Sequence, residues 1–569
     1  MFGHRASMHS QEDGRLGEVL GRRPSRARSA RSGSVSSRVT RASAGTHHHY
    51  PHVEQDVEPF HEEVFREEER EEIQHEMKEG MTPAEIEAQD KAAEAEAAIE
   101  PGYLVEFQPG DPENPRNWSF TKKWCWTMFF SFLCFVVAVG SSMPTAALVQ
   151  TGKQLHVSQE AVHLSISLFV AGFGFGPVFF APLSEMFGRK PVYIVSGFLY
   201  FIFTLPCAVT DNLATLLAAR MISGLAASVP MTNVGGSISD MWVVEQKGNP
   251  MNIFSSVLFL GPAVGPIVGG AISSGTNDEE GWHYIYWTLF AFIGLTWIGS
   301  LFQPETLGSA ILKKRARKLR KETNDERYST LAEKEKMGLK AMVVVLLLRP
   351  VVMLLVEPIL LFFSLYLTLV YMLLYLLFFA YPIIFAEGHG MNDLQTGLMF
   401  IPLIVGILIA VLFTMFVLEP HVKKNVARRG TPQTPEDRLI IMFIGSAMFP
   451  ISLFILAWTS MPSVHWQGAL ISGLGTGLSF VMIYNAANTY LVDCYPKTAA
   501  SALASKTLIR SLGGAAVPLF VNQMFHAMHN QWALTLLALV ATIMVPIPFF
   551  FYRFGPKYRA KSKYASGDD

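Results

Sequence analysis

From Trp124 onward, the chain alternates between apolar runs of about twenty residues and short polar connections. Twelve such runs fall near 124–147, 161–183, 191–210, 213–235, 252–274, 283–302, 351–377, 394–418, 439–459, 466–490, 501–524 and 531–554. A helix rises about 1.5 Å per residue, so each run is long enough to cross the ~30 Å hydrocarbon layer of a bilayer. The pattern predicts an all-α membrane protein with twelve transmembrane helices. The longest interior polar stretch, 304–349, follows the sixth run and divides the spans six and six. Residues 1–100 contain no comparable run. GRRPSRARSARSGSVSSRVTRAS is Arg/Ser-rich and HEEVFREEEREEIQHEMKEG is acidic, and neither can bury enough apolar surface to offset its chain entropy. The expected organisation is a disordered tail (1–108), a first six-helix half (109–303), a basic linker (304–349), a second half (350–555) and a short tail (556–569).

The basic residues sort the connections into two sets. Arg189 and Lys190, Lys247, the run KKRARKLRK at 313–321, Lys423, Lys424, Arg428, Arg429, Arg438 and Lys497 fall in alternate loops. Arg553, Lys557, Arg559, Lys561 and Lys563 follow the last span. The other loops hold one basic residue, Lys153, together with Asp211, Asp278, Glu279, Glu280, Glu387 and Asp393. Basic loops stay on the cytosolic side. Both termini are therefore expected in the cytosol, in the plasma membrane or, as the alternative, the vacuolar membrane.

Composition fits this picture. Only 16% of residues are charged, against roughly 25% in a soluble chain, and half are hydrophobic. The net charge of −1 hides a segment of +6 (residues 1–50), one of −14 (51–100) and a remainder of +7. No continuous basic surface points to nucleic acid. The four cysteines, Cys125, Cys134, Cys207 and Cys494, form no CxxC pair, and neither HExxH nor a Cys/His cluster is present. An enzyme and a metal site are not expected.

Asp240 follows the fourth span and Asp493 the tenth; Gly261 and Gly514 lie 21 residues beyond them, so the two halves match at an offset of 253. Two six-span halves related by an axis along the membrane normal are an architecture of secondary transporters. Between the second and third spans, APLSEMFGRKP combines a turn glycine, Gly188, with Glu185, Arg189 and Lys190. There the chain resembles the major facilitator superfamily, departing from its loop pattern at Ala181, Glu185 and Met186. The fourth span carries Arg220-Met-Ile-Ser-Gly224. The fifth carries GPAVGPIVGG, with Gly261, Pro262, Gly265, Pro266, Gly269 and Gly270, and resembles the motif of proton-driven antiporters. DPENPRNW before the first span, PETLGSAILKKRARKLRKET after the sixth, RPVVMLLVEPI, PEDRL and YLVDCYPKTAASALASKTLIRSLGGAAVPLF complete a collinear resemblance, over about 109–565, to the fungal twelve-span drug:proton antiporter branch. The resemblance implies alternating access driven by a proton gradient, with no other cofactor. Small-molecule substrate, proton and lipid bilayer are the expected partners of a monomer.

In the seventh span, Glu357, Ser364, Thr368, Tyr371 and Tyr375 share one helical face amid apolar residues. Such a stripe faces either a water-filled path or a hydrogen-bonding neighbour. The first span has a weaker stripe, Thr127, Ser131, Cys134, Ser141 and Thr145, with Ser142 beside it. The tenth offers Tyr484, Asn485 and Asn488, the fourth Asn233, and the eleventh Lys506 and Arg510. Glu357 reads as an acid well inside a span, either a proton carrier or the fixed partner of Arg510 or Lys506. Arg220 reads either as a coupling residue or as a structural arginine on backbone carbonyls of the first span. Glu185, Gly188, Arg189, Lys190, Asp240 and Asp493 read as conformational latches, with Lys497 near Asp493.

A single cavity acid suits a drug-like compound, toxin or secondary metabolite better than a polyamine. A polyamine:proton antiporter and an organic-acid exporter using Arg220, Lys506 or Arg510 are the alternatives. A non-transporting sensor is a further class.

Overall fold

A computed structural model describes residues 103–566, except 244–245, 277–280, 335–338, 431–433 and 497. The expectations for residues 1–102, for Asp278, Glu279 and Glu280, and for Lys497 lie outside the described residues. The predicted tail ends earlier than residue 108. Val105 N–H donates to Ser329 O at 2.9 Å and Ser329 N–H to Tyr103 O at 3.1 Å, so residues 103–105 pair with the linker.

Eleven helices among the described residues are long and apolar enough to cross a membrane. In the first half they are Phe120–Gln154, Gln159–Phe187, Arg189–Val209, Leu213–Met241, Gly248–Gly275 and Gly281–Leu301. In the second they are Pro358–Glu387, Asp393–Arg429, Pro435–Thr459, Gln467–Cys494 and Val521–Arg559. The helix Ala499–Ala516 completes twelve. It supplies the eleventh span and is less apolar because it carries Lys506, Arg510 and several hydroxyls. His529, with φ 61° and ψ 155°, breaks the helix Val521–Met544, so that the twelfth span starts beyond it. Large apolar side chains such as Phe120, Leu295, Phe302, Phe416 and Ile543 are exposed around the bundle. Surface of that kind belongs against lipid, and the chain is a multi-pass membrane protein.

Local sequence sets the helix ends. Ser119, Ser158 and Asn212 cap the first, second and fourth spans through their side-chain oxygens. Asn392 with Gln395, and Thr434 with Asp437, form reciprocal capping boxes before the eighth and ninth spans. Pro144 sits inside the 3-10 turn Met143–Ala147, where the first span loses its regular bonding.

The seventh span starts later than the hydropathy predicts. Leu339–Val356 is a separate helix, and Pro358 opens the span proper. Glu357, immediately before that proline, is extended (φ −97°, ψ 104°). It therefore lies at a helix end and not within the span, which corrects the sequence expectation.

The two halves meet along the fifth and eighth spans over their whole length. At one end Gly270 lies against Asp393 O and Gly397 against Pro266 O. At the other, Asn252 Nδ2 donates to Val411 O at 3.5 Å and Asn485 Nδ2 to Asn252 Oδ1 at 2.5 Å. The second and eleventh spans pair midway, at Gly174 against Leu508 and Ser511. Residues 103–119, the 304–330 linker and the C-terminal segment gather at one end of the bundle, its basic face.

Candidate functional site

A cluster on the axis between the halves joins the first, fourth, fifth, seventh, tenth and eleventh spans. Tyr375 OH donates to Ser141 Oγ at 2.9 Å, tying the seventh span to the first. The Tyr371 and Tyr375 hydroxyls are 3.4 Å apart. The Arg510 guanidinium lies 4.3 Å from the Tyr371 ring centroid, and its Nη1 donates to Tyr484 OH at 3.3 Å. Lys506 Nζ donates to Asn488 Oδ1 and sits 4.9 Å from the Tyr484 ring. Phe259 packs edge-on against Tyr484 at 5.1 Å, and Cys134 Sγ meets Met231 Sδ at 3.3 Å. Gly513 and Gly514 let the eleventh span approach; a Cβ on Gly514 would stand 2.9 Å from the Tyr371 ring. The structure brings Ser141, Thr368, Tyr371, Tyr375, Tyr484, Asn488 and Arg510 into one cluster.

Other expected cavity residues lie elsewhere. Ser142 faces Gly265 of the fifth span. Ser364 Oγ is buried without a hydrogen-bond partner, and its carbonyl accepts from Thr368. Asn485 bridges to Asn252 away from Arg510. Asn233 accepts from Ser184 Oγ at 3.3 Å, which belongs to the loop network of the basic face. Glu357 touches neither Arg510 nor Lys506. It accepts from Tyr495 OH at 3.0 Å and from Ser562 Oγ at 2.7 Å, at the basic face.

Arg220 is buried. Its Nε donates to Ser165 O and its Nη1 to Gly140 O, each at 3.2 Å, and its guanidinium stacks 3.8 Å from the Phe169 ring. It therefore grips the first span one residue before Ser141, the residue that receives Tyr375. Its Nη2 has no hydrogen-bond partner.

At the basic face each half has its own set of ion pairs. Arg189 Nε pairs with Asp240 at 3.4 Å, and its Nη1 donates to Ser184 Oγ at 2.7 Å. Glu185 is exposed, and Glu305, not Glu185, is the carboxylate that caps this loop. Glu305 accepts from the backbone N–H of Arg189 at 2.9 Å and of Lys190 at 3.0 Å, closing the N-terminus of the third span. Gly188 has φ 100°, and a Cβ there would lie 2.5 Å from Glu305 Oε2, so both conformation and space require glycine. In the second half Arg438 joins Asp493 at 3.1 Å and Glu419 at 3.7 Å. Arg559 holds Glu436 with two bonds, at 2.9 and 3.0 Å. Lys247 stands between these ion pairs: burial pushes its ammonium pKa down, while Asp240 and Asp493 act to raise it. Glu305, Arg438, Tyr495, Ser562 and Lys247 had no assigned site role in the sequence. The collinear flanks carried the signal for Glu305, in PETLG, but a spacing does not reveal which N–H groups a carboxylate will cap.

The glycine-proline motif of the fifth span divides by neighbour. Gly261, Gly265 and Gly269 face Ala138, Ser142 and Met143 of the first span and its continuation. Gly270 faces Asp393 of the other half, and Pro266 O lies under Gly397. Pro262 and Pro266 are both buried inside the helix.

The profile of the Major Facilitator Superfamily matches residues 128–518. The transporter paaT of Penicillium rubens is 44% identical over 467 residues, 82% of this chain and 84% of that protein. Polyamine transporter 3 of Saccharomyces cerevisiae is 40% identical over 83% of this chain and 75% of its own length. The solved proton:xylose symporter XylE shares the fold, with a TM-score of 0.57 at 13% identity, covering 77% of this chain and 96% of XylE. The chain belongs to the Major Facilitator Superfamily, in the fungal branch of drug and polyamine exporters that also holds relatives named as multidrug transporters and efflux pumps. It is a transporter and not an enzyme.

Proposed function

We propose that the protein is a proton-coupled antiporter that exports amphipathic small molecules by alternating access. The observation that carries this reading is the central cluster. Three tyrosines, amide and hydroxyl groups converge from both halves, so rocking of the halves must open and reseal it. The clustering of basic residues at one face favours cytosolic termini and export outward across the plasma membrane. Relatives named as efflux pumps support the direction. A relative named as a polyamine transporter raises a polycation as cargo. A second and third cation beside Lys506 and Arg510 is electrostatically unfavourable, and that argues against it.

Coupling is assigned to Glu357 and Arg220. An ionised Glu357 accepts from two hydroxyls; a protonated one gives up an acceptor position and its charge. Protonation thereby loosens Tyr495 and Ser562 and frees the basic face to open. Arg220 connects this motion to the cluster through Gly140 and Ser141. In proteoliposomes, Glu357→Gln should abolish export driven by a pH gradient while leaving protein in the membrane. Undiminished gradient-driven export by that variant contradicts the assignment.

A further inference from the structure

The central cluster contains two cations and no acid. Lys506 and Arg510 lie one turn apart on the eleventh span, and both are almost completely buried. Buried charge in a membrane protein is costly, and neighbouring like charges add to that cost. Among the described residues, their hydrogen bonds go to neutral groups. Lys506 Nζ donates to Asn488 Oδ1, and Arg510 Nη1 donates to Tyr484 OH at 3.3 Å. Arg510 Nε is buried and has no acceptor. Among the described residues, no Asp or Glu forms an ion pair with either side chain. Glu357, the buried acid just before the seventh span, is occupied by Tyr495 and Ser562.

A pair of buried cations with an unfilled donor lacks an anion. Guanidinium presents parallel N–H donors that match a carboxylate, and a lysine beside it adds a point charge. Around the pair stand Tyr371, Tyr375, Tyr484 and Phe259, whose faces suit an apolar or aromatic body. We infer that Lys506 and Arg510 anchor the acid group of an amphipathic organic anion, and that such anions are the substrate class. The carboxylate takes Arg510 Nε with one Nη and reaches Lys506 Nζ, displacing the bonds to Tyr484 and Asn488. The body lies among the tyrosines. This rests on the exporter reading and narrows its cargo.

The test uses the purified full chain, tritiated 2-naphthoate and its neutral isostere 2-naphthamide, with binding followed by scintillation proximity. Naphthoate should bind at least tenfold more tightly than the amide. Lys506→Gln should erase that preference and Lys506→Arg should keep most of it, with monodispersity on size exclusion as the check of folding. Arg510→Gln should lose naphthoate at least tenfold; if it does not fold, the two Lys506 variants decide alone. Equal binding of acid and amide, or a Lys506→Gln protein that binds naphthoate like the parent, overturns the inference. Gradient-driven export of a neutral dye such as Nile red separates the two readings. If the dye moves while naphthoate neither binds nor moves, the anion assignment falls and the exporter stands. If neither moves, both fall.

Discussion

Single residues explain the basic face best. Glu305 accepts from Arg189, Lys190, Thr306 and Leu307 N–H groups, so it is both a helix cap and a loop organiser. Glu305→Ala should cost about 0.5–2 kcal/mol of stability, the range for losing a cap, with Glu305→Gln in between. Thermal unfolding in detergent measures this, and an unchanged midpoint for the alanine variant would count against the role. Asp111 gives a pH-dependent test. Hydrogen bonds from Arg315 and from Glu113 N–H hold its carboxyl below the usual range. A folded-state pKa that is depressed adds stability above the unfolded value, about 3.9, and loses it as pH falls through the folded pKa. The stability gap between parent and Arg315→Gln should therefore be widest above about pH 4 and narrow below it. A gap that grows on acidification would contradict the pairing.

Whole elements show what hydropathy can reveal. The first six spans are legible because each carries a long, predominantly apolar run, the fourth broken only by isolated polar residues such as Arg220, bounded by caps or polar turns. The eleventh is legible despite Lys506 and Arg510, through its match in the first half. The start of the seventh is not. VVMLLV before Glu357 is as apolar as ILLFF after Pro358, so the run looks continuous. Pro358 breaks it, and one backbone conformation moves Glu357 from the span to the face. Likewise the polar stripe places Tyr371 and Tyr375 correctly, because helical periodicity fixes a shared face. Asn233 and Asn485, named as cavity residues without a stripe to place them, turn to Ser184 and Asn252 instead, because a span's sequence does not say which neighbour each residue meets. The fifth and eighth spans yield a prediction at this scale. A Cβ on Gly397 would stand 2.5 Å from Pro266 O, across the junction of the halves. Gly397→Val should hold that end apart, raising maleimide labelling of a cysteine placed at Gln150 in the purified protein and depressing transport. Unchanged labelling would show that the junction does not close the path.

At the scale of the molecule, two matched halves carry one Arg–Asp ion pair each, with Lys247 between Asp240 and Asp493 and the aromatic, cationic cluster on the axis. Under the proposed antiport, with one proton exchanged per anion, proton entry and anion exit would both move positive charge inward, so one turnover with a monovalent anion would carry two charges. Each is worth about 2.3 kcal/mol per 100 mV of membrane potential. Export of naphthoate should then respond to potential about twice as strongly as export of a neutral dye, which potassium-valinomycin clamping measures. The most direct measurement of the central claim is efflux from proteoliposomes holding the purified chain and a labelled amphipathic substrate, with and without an imposed pH gradient. Efflux should be accelerated by a gradient that drives protons in the opposite direction and collapse when a protonophore is added. Efflux at the same rate with the gradient present, absent or reversed would contradict proton-coupled antiport.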